Sequence, residues 1–488
     1  MKKIKLIAMV AVLVLTMGVL ASCIAEVEID LDKVQDISKE ESIAEESSGF
    51  ADPEDLPGHV KAPAVTEVIN ITASRICIAG TCEKGATVTI YGGKEDVEVY
   101  SENGYFIVET ELESSGTKLM EAIATKESLE DSASRYFYAQ YKATVSERVD
   151  GNSVLIGKNS QLFLNSTLPD FFGENLYTNT QLNALKEKVN ANYQLMQDAK
   201  LKMLELEKEE ELVAEFERAL TEEEIETLVK PWAQANFKPI PYIFVIAPNA
   251  LTVYPELAPD SVVSTTNTTR YKQVIKALKD TNATVIDLSE VFAEHKDDEY
   301  PIYSSTNSYW TEYGAYLAYK EIMDIVDDEY PAAAARPLSD FNIEKKEYLG
   351  GNMVGYLYID REVIKEEGVK LVPKFTTNFK LNVYKDNNSL DLATEPDANK
   401  TVASTTRRLI DRKLDESYPN GYILRDEWSA QMFTLLADRF SATIFHTAGA
   451  YDPRAIDINY SSETARPDYT IVIFNESNIE NVFKLNVE

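Results

Sequence analysis

Five runs of almost unbroken apolar, β-branched or aromatic residues set the strongest limit on what this chain can fold into. They occupy 242–247, 283–288, 421–424, 442–445 and 469–474. A strand with no polar face must be covered on both sides, which is the condition of strands in a parallel sheet. Helical periodicity intervenes at 269–280 and 429–440. Alternating strand and helix predicts an α/β domain with a doubly wound, mostly parallel sheet, here placed at 150–488. Short strands are expected at 154–156 and 161–164, and a long helical region at 180–235. Leu182, Leu185, Val189, Tyr193 and Met196 recur there at helical spacing, and Thr221 with Glu224 forms a capping-box signature. Pro231 is expected to end the last of these helices.

Ahead of this domain the pattern changes. Between 63 and 143 the chain reads as short strands separated by Lys84-Gly85, Gly92-Gly93 and Asn103-Gly104. Such spacing predicts an all-β sandwich, placed at 59–145. Its stretch from Ile78 to Val88, followed by Asn103-Gly104-Tyr105-Phe106, resembles bacterial Ig-like domains. That resemblance implies a spacer, or alternatively a module that binds a glycan or a protein partner. Cys77 and Cys82 lie on opposite faces of one extended run, so two free thiols are favoured over a bridge.

The first 22 residues read as an export signal. Lys2, Lys3 and Lys5 form a cationic start, and an uncharged run from Leu6 to Leu20 is shorter than the roughly 20 apolar residues a spanning helix needs. Leu20-Ala21-Ser22-Cys23 is similar to a bacterial lipobox, which implies lipid on Cys23 and an extracytoplasmic, membrane-anchored protein. Residues 23–58 read as an acidic tether, because 24–58 hold twelve acidic residues against Lys33 and Lys39. The formal charge of −33 becomes −36 once three lysines leave with the signal. Such a body repels nucleic acid and anionic headgroups. Three scattered histidines and no cysteine pattern give no reason to expect a metal, and no cofactor is implied.

Several blocks in the α/β part occur in a meaningful order. They are Ile156-Gly157-Lys158 with Leu162-Phe163-Leu164, Ala247-Pro248-Asn249 with Tyr254-Pro255-Glu256, and Asn307-Ser308-Tyr309-Trp310-Thr311 with Gly314-Ala315. Arg425-Asp426-Glu427-Trp428 and Pro467-Asp468-Tyr469 follow. Together they resemble the SGNH-like domains of alginate O-acetyltransferase-type proteins and the related DHHW group. That family carries Asp-x-His-Trp at the third block and Gly-Asp-Ser-Phe at the fourth. The resemblance implies acyl transfer by a serine, with the histidine as base and the aspartate orienting it.

The three catalytic positions of that family hold Asn307, Tyr309 and Glu427 here. A phenol with a pKa near 10 is no base at neutral pH, an amide has no charge to steady an imidazolium, and a carboxylate sits where an oxyanion must form. Ala250 and Asn352 replace a lysine and an acidic residue usual in the family. No intact catalytic set is therefore expected. Asn307, Tyr309, Trp310, Asp426 and Glu427 are the candidate ligand-binding residues, since aromatic faces beside amide and hydroxyl groups suit a sugar ring. Trp310 is also the best candidate for the core. Three readings follow: an inactive, accessory or glycan-binding partner of surface polysaccharide synthesis or its acetylation machinery, an active O-acetyltransferase or esterase with substituted residues, or a structural scaffold.

Overall fold

The computed structural model describes residue 50 and residues 52–114, 116–141, 153–376, 380–386, 389–392, 407–411, 417–447 and 467–485. Cys23 and the expected signal lie outside them.

Seven antiparallel strands come first: β1 (Ala64–Asn70), β2 (Arg75–Thr81), β3 (Ala86–Tyr91), β4 (Val97–Ser101), β5 (Tyr105–Glu111), β6 (Gly116–Thr125) and β7 (Arg135–Tyr141). They pair as a three-stranded sheet β1-β2-β5 and a four-stranded sheet β4-β3-β6-β7. Period-two alternation explains the sandwich. Ala86, Val88 and Ile90 of β3 face Ile76, Ile78, Phe106 and Phe137 in one core. Gly104, at φ +88, turns the chain between β4 and β5, where a side chain would be strained.

Strand β2 is apolar on both faces, and both are used. Cys77 and Ala79 join Tyr105 and Ile107 of β5 against Val154, Ile156, Leu162, Met353, Val354 and Ile364 of the α/β part. The buried Ile107 N–H donates to Ser160 Oγ at 2.9 Å across this junction. Cys77 sits in the junction, Cys82 lies beside the sandwich core, and both are free thiols. Part of the expected tether packs on the other sheet: Phe50 lies on Tyr138 of β7 at 5.3 Å between ring centroids, and Asp52 pairs with Arg135 at 2.5 Å. A junction with a continuous core should unfold together with its neighbours. Ile107→Ala is expected to cost about 2–4 kcal/mol. The loss should appear in tryptophan fluorescence during urea unfolding, although Trp232, Trp310 and Trp428 all lie outside the sandwich.

The α/β part opens with a small hairpin of β8 (Val154–Ile156) and β9 (Leu162–Leu164). The helix Asn179–Phe216 follows, started by a capping box between Thr178 and Gln181. Leu185, Val189, Asn192, Met196 and Gln197 bury its first half, whereas Leu212 is the buried residue of its second. The Thr221–Glu224 box is present as read. Pro231 is not a terminator: helical backbone runs through it from Glu222 to Asn236, and the π-turn Ile225–Val229 just before it takes up the missing N–H bond.

The remaining strands are β10 (Tyr242–Ala247), β11 (Thr284–Asp287), β12 (Phe341–Leu349), β13 (Lys365–Pro373), β14 (Lys380–Asp386), β15 (Ser389–Leu392), β16 (Arg407–Asp411), β17 (Gly421–Arg425), β18 (Ala442–Thr447) and β19 (Tyr469–Asn475). Eight of them form one sheet in the order β11-β10-β19-β17-β18-β16-β14-β15. The first five are mutually parallel, and β16, β14 and β15 extend the sheet antiparallel. Ile243, Val245, Ile423, Ile471 and Ile473 face the helix Glu312–Val326 and Phe433–Ala437. Phe244, Ile246, Tyr422, Leu424, Val472 and Phe474 face the helices Asn179–Phe216 and Arg270–Lys279. The sheet is thus doubly wound, as its two-sided apolar strands require. The β12–β13 hairpin is an addition that the sequence reading lacks.

Candidate functional site

In open α/β sheets the carboxyl ends of the strands gather the chemistry. Here β10 ends at Ala247, β17 at Arg425 and β19 at Asn475, side by side in the sheet. Asp426 follows β17 and is 2 % exposed. Its carboxylate accepts from the Asn475 N–H at 2.7 Å, the Trp428 N–H at 3.1 Å and the Asn478 amide at 3.1 Å. Of the candidate ligand-binding residues, Asp426 is therefore turned inward as the clamp of its own turn. Ser429, the nearest hydroxyl after Glu427, is buried and donates to the Asp426 carbonyl at 3.0 Å, so it is not presented as a nucleophile. Arg425 is also buried, and its Nη1 donates to the same carbonyl at 3.0 Å. The Glu427 backbone opens the 3₁₀ turn Glu427–Met432, and its side chain lies outside the described residues.

The Asn307–Tyr309 segment reaches this turn from the other side. The Tyr309 and Trp428 rings lie 4.5 Å apart between centroids, inclined by 41°. Tyr309 is half-buried, and Asn307 Oδ1 accepts from the Tyr309 N–H at 3.2 Å in a local turn. Trp310, one residue on, points away: it is 3 % exposed and packs edge-on against Phe292. It belongs to the core, so its place among the candidate ligand residues is corrected. The side chain after Tyr309 falls on the inner face, beside the start of the helix Glu312–Val326.

What holds this loop is a group that sequence reading missed. Glu366, on β13, is 7 % exposed and accepts from Ser304 Oγ at 2.7 Å, the Ser305 N–H at 2.6 Å and Thr306 Oγ1 at 2.6 Å. Ser304 Oγ in turn accepts from the Asn307 N–H at 3.1 Å. Asn352 Oδ1 accepts from the Ser308 N–H at 3.0 Å, and its amide donates to Ser308 Oγ at 2.7 Å. Gly351 passes so close that an added Cβ would lie 2.6 Å from Asn307 Cβ and 2.4 Å from the Thr306 carbonyl. The opening block joins the same loop, since the Leu162 N–H donates to the Ser305 carbonyl at 2.8 Å.

The second block is anchored on β19. The buried Glu476 accepts from the Asn249 N–H at 2.7 Å and Thr252 Oγ1 at 2.8 Å, and burial raises its carboxyl to about 7. Tyr303, fully buried, donates its hydroxyl to the Pro248 carbonyl. The Ile302 N–H donates to Tyr254 Oη at 3.2 Å. The first four blocks therefore meet at one end of the sheet, although they are spread over residues 156–428, whereas Pro467-Asp468-Tyr469 enters β19 at the opposite end, where Asp468 accepts from the Asn420 N–H at 3.0 Å. Among the described residues, no cluster of three or more His, Cys, Asp or Glu has metal-binding geometry, and no helix is long and apolar enough to cross a membrane.

Residues 199–391 match the family model of the SGNH hydrolase-like domain, acetyltransferase AlgX. The match includes Asn307 and Tyr309 and stops before Glu427. No curated protein matches the chain. Among solved structures, Bacillus cereus PatB1 with a sulfonyl adduct is similar at a TM-score of 0.46 and 13 % identity, over 68 % of this chain and 97 % of that one. A DHHW family protein from Eubacterium siraeum gives 0.43 and 10 %, over 69 % and 97 %. Pseudomonas aeruginosa AlgX gives 0.36 and 11 %, over 68 % and 65 %. Over residues 199–391 the chain is thus similar to an SGNH hydrolase-like domain of the AlgX acetyltransferase type.

Proposed function

We propose that this is a lipid-anchored, extracytoplasmic protein whose SGNH-like domain binds surface polysaccharide and does not transfer acyl groups. Its role is accessory to polysaccharide O-acetylation, the process that the AlgX family name implies. The observation that carries this reading is the contact of Tyr309 with Trp428 beside Asn307, at the edge where the sheet delivers its loops. The family's serine and histidine are replaced there, the Asp426 carboxylate is committed to holding its turn, and Ser429 is turned inward. What remains is the half-buried Tyr309 ring, backed by the buried Trp428, with an amide at its border. Such a surface stacks on a pyranose ring and hydrogen-bonds its substituents without making or breaking a bond.

Titration calorimetry with O-acetylated glucomannan fragments, and with the same fragments after base deacetylation, tests the binding. Tyr309→Ala is expected to weaken binding about tenfold, the scale of one aromatic stacking contact. Unchanged affinity in that variant, with an unchanged melting temperature, would remove this cleft from the binding surface. The lipid anchor is tested separately: globomycin-sensitive processing and loss of membrane association in Cys23→Ala are the expected results.

A further inference from the structure

The two sheets of the sandwich have different outer faces. That of β1-β2-β5 is consumed by the junction with the α/β part. That of β4-β3-β6-β7 is not, and the register of its strands shows what it presents. Tyr91 of β3 pairs with Glu121 of β6, which pairs with Tyr136 of β7. One step along, Leu119 of β6 lies opposite Tyr138. These four large side chains share one face and are exposed: Tyr91 by 36 %, Leu119 by 52 %, Tyr136 by 41 % and Tyr138 by 39 %. Thr87, Thr89 and Gln140 border them by the same alternation.

We infer that this tyrosine face is a second polysaccharide site, built for a neutral pyranose chain. The charges on the face select the occupant. Glu98 and Glu121 are its ionisable side chains besides the phenols, and no lysine or arginine shares the outward alternation of these four strands. A second copy of the chain, packed about a twofold axis, would set carboxylate against carboxylate. An acidic glycan would meet the same repulsion. A neutral sugar brings hydroxyl donors to those carboxylates and to Gln140, and apolar C–H faces to the tyrosine rings. The face accepts a flat apolar group already, because Phe50 rests against Tyr136 at 6.0 Å and Tyr138 at 5.3 Å between centroids. Tyr91 and Tyr136 stand two strand spacings apart, about 10 Å, which matches the length of a disaccharide repeat. This site is independent of the cleft at Tyr309.

The test is affinity electrophoresis of the whole protein through gels holding neutral β-glucan, glucomannan, galactan or xylan, with polymannuronate as the charged comparison. Retardation by at least one neutral glycan and none by polymannuronate is expected. A Tyr136→Ala, Tyr138→Ala double variant should lose at least tenfold in affinity, and the single variant Tyr91→Ala on the inner strand β3 should lose a smaller factor at an unchanged melting temperature. With the cleft disabled by Tyr309→Ala, the Tyr136→Ala, Tyr138→Ala pair should still cost at least tenfold in the remaining retardation, which separates the two sites. The inference is overturned by no retardation in any neutral gel, by retardation that the three tyrosine variants do not alter, or by a concentration-dependent dimer that those variants abolish.

Discussion

Asp426→Ala is expected to lower the unfolding free energy by about 3–5 kcal/mol, one of the largest losses open to a single substitution outside the apolar core. The carboxylate is buried, and three donors from two chain segments converge on it: the Trp428 and Asn475 N–H groups and the Asn478 amide. Alanine leaves those donors in a pocket that water does not replace well, and each unsatisfied donor costs about 1–3 kcal/mol. Asp426→Asn should lose less, because its remaining oxygen still accepts while its new N–H₂ faces another donor. Urea unfolding reads this as a lower midpoint at unchanged slope. A loss under 1 kcal/mol for Asp426→Ala would mean that the turn is held by other contacts. On the proposed reading, the chain keeps the aspartate that shapes this turn and has no serine directly after it.

Glu476 should make the stability of the protein depend on pH in a way that Glu476→Gln abolishes. Burial lifts its carboxyl from 4.5 to about 7, while the hydrogen bonds from Asn249 and Thr252 offset part of that rise. Between those two values the folded protein holds a proton there that the unfolded chain releases. The stabilisation from this group is therefore complete below about pH 4.5 and is lost as pH rises through 7. The difference amounts to about 3 kcal/mol. Glutamine keeps an oxygen for the Asn249 N–H and does not titrate. Between pH 5 and pH 8 the natural protein should lose about 2.5 kcal/mol relative to the glutamine variant, as measured by paired urea midpoints. Parallel pH profiles for the two proteins would contradict this.

Much of the fold was legible because its strands leave few alternatives. The run at 242–247 has no polar face, and the structure buries every residue of it between two helical layers. The β12–β13 hairpin was not legible for the opposite reason. Its strand Phe341–Leu349 is exposed from Glu344 onward and carries no apolar alternation, so its pairing rests on backbone hydrogen bonds that sequence pattern does not register. Glu366 was hidden in the same segment, because Lys365-Glu366-Glu367 reads as an ordinary solvated run. Only the fold turns its middle carboxylate toward the Ser304–Thr306 hydroxyls. The junction had a signal that went unused: Ile76-Cys77-Ile78-Ala79 is apolar at both parities, which a sandwich strand with one wet face would not be. Within the candidate site, order along the chain located the blocks. It did not tell which of two neighbouring aromatic rings, Tyr309 or Trp310, faces outward.

We propose that the SGNH-like domain keeps its frame and lacks its chemistry. The most direct measurement is acetyl-ester hydrolysis by purified residues 24–488, beside the triple variant Asn307→Asp, Tyr309→His, Glu427→Ser. The Tyr309 ring touches Trp428, the residue that follows 427 in the chain. No turnover above buffer is expected for the natural protein, and measurable turnover for the triple variant. Hydrolysis by the natural protein that Glu427→Ala abolishes would contradict the proposal, and would make this domain an enzyme whose machinery includes the carboxylate at 427.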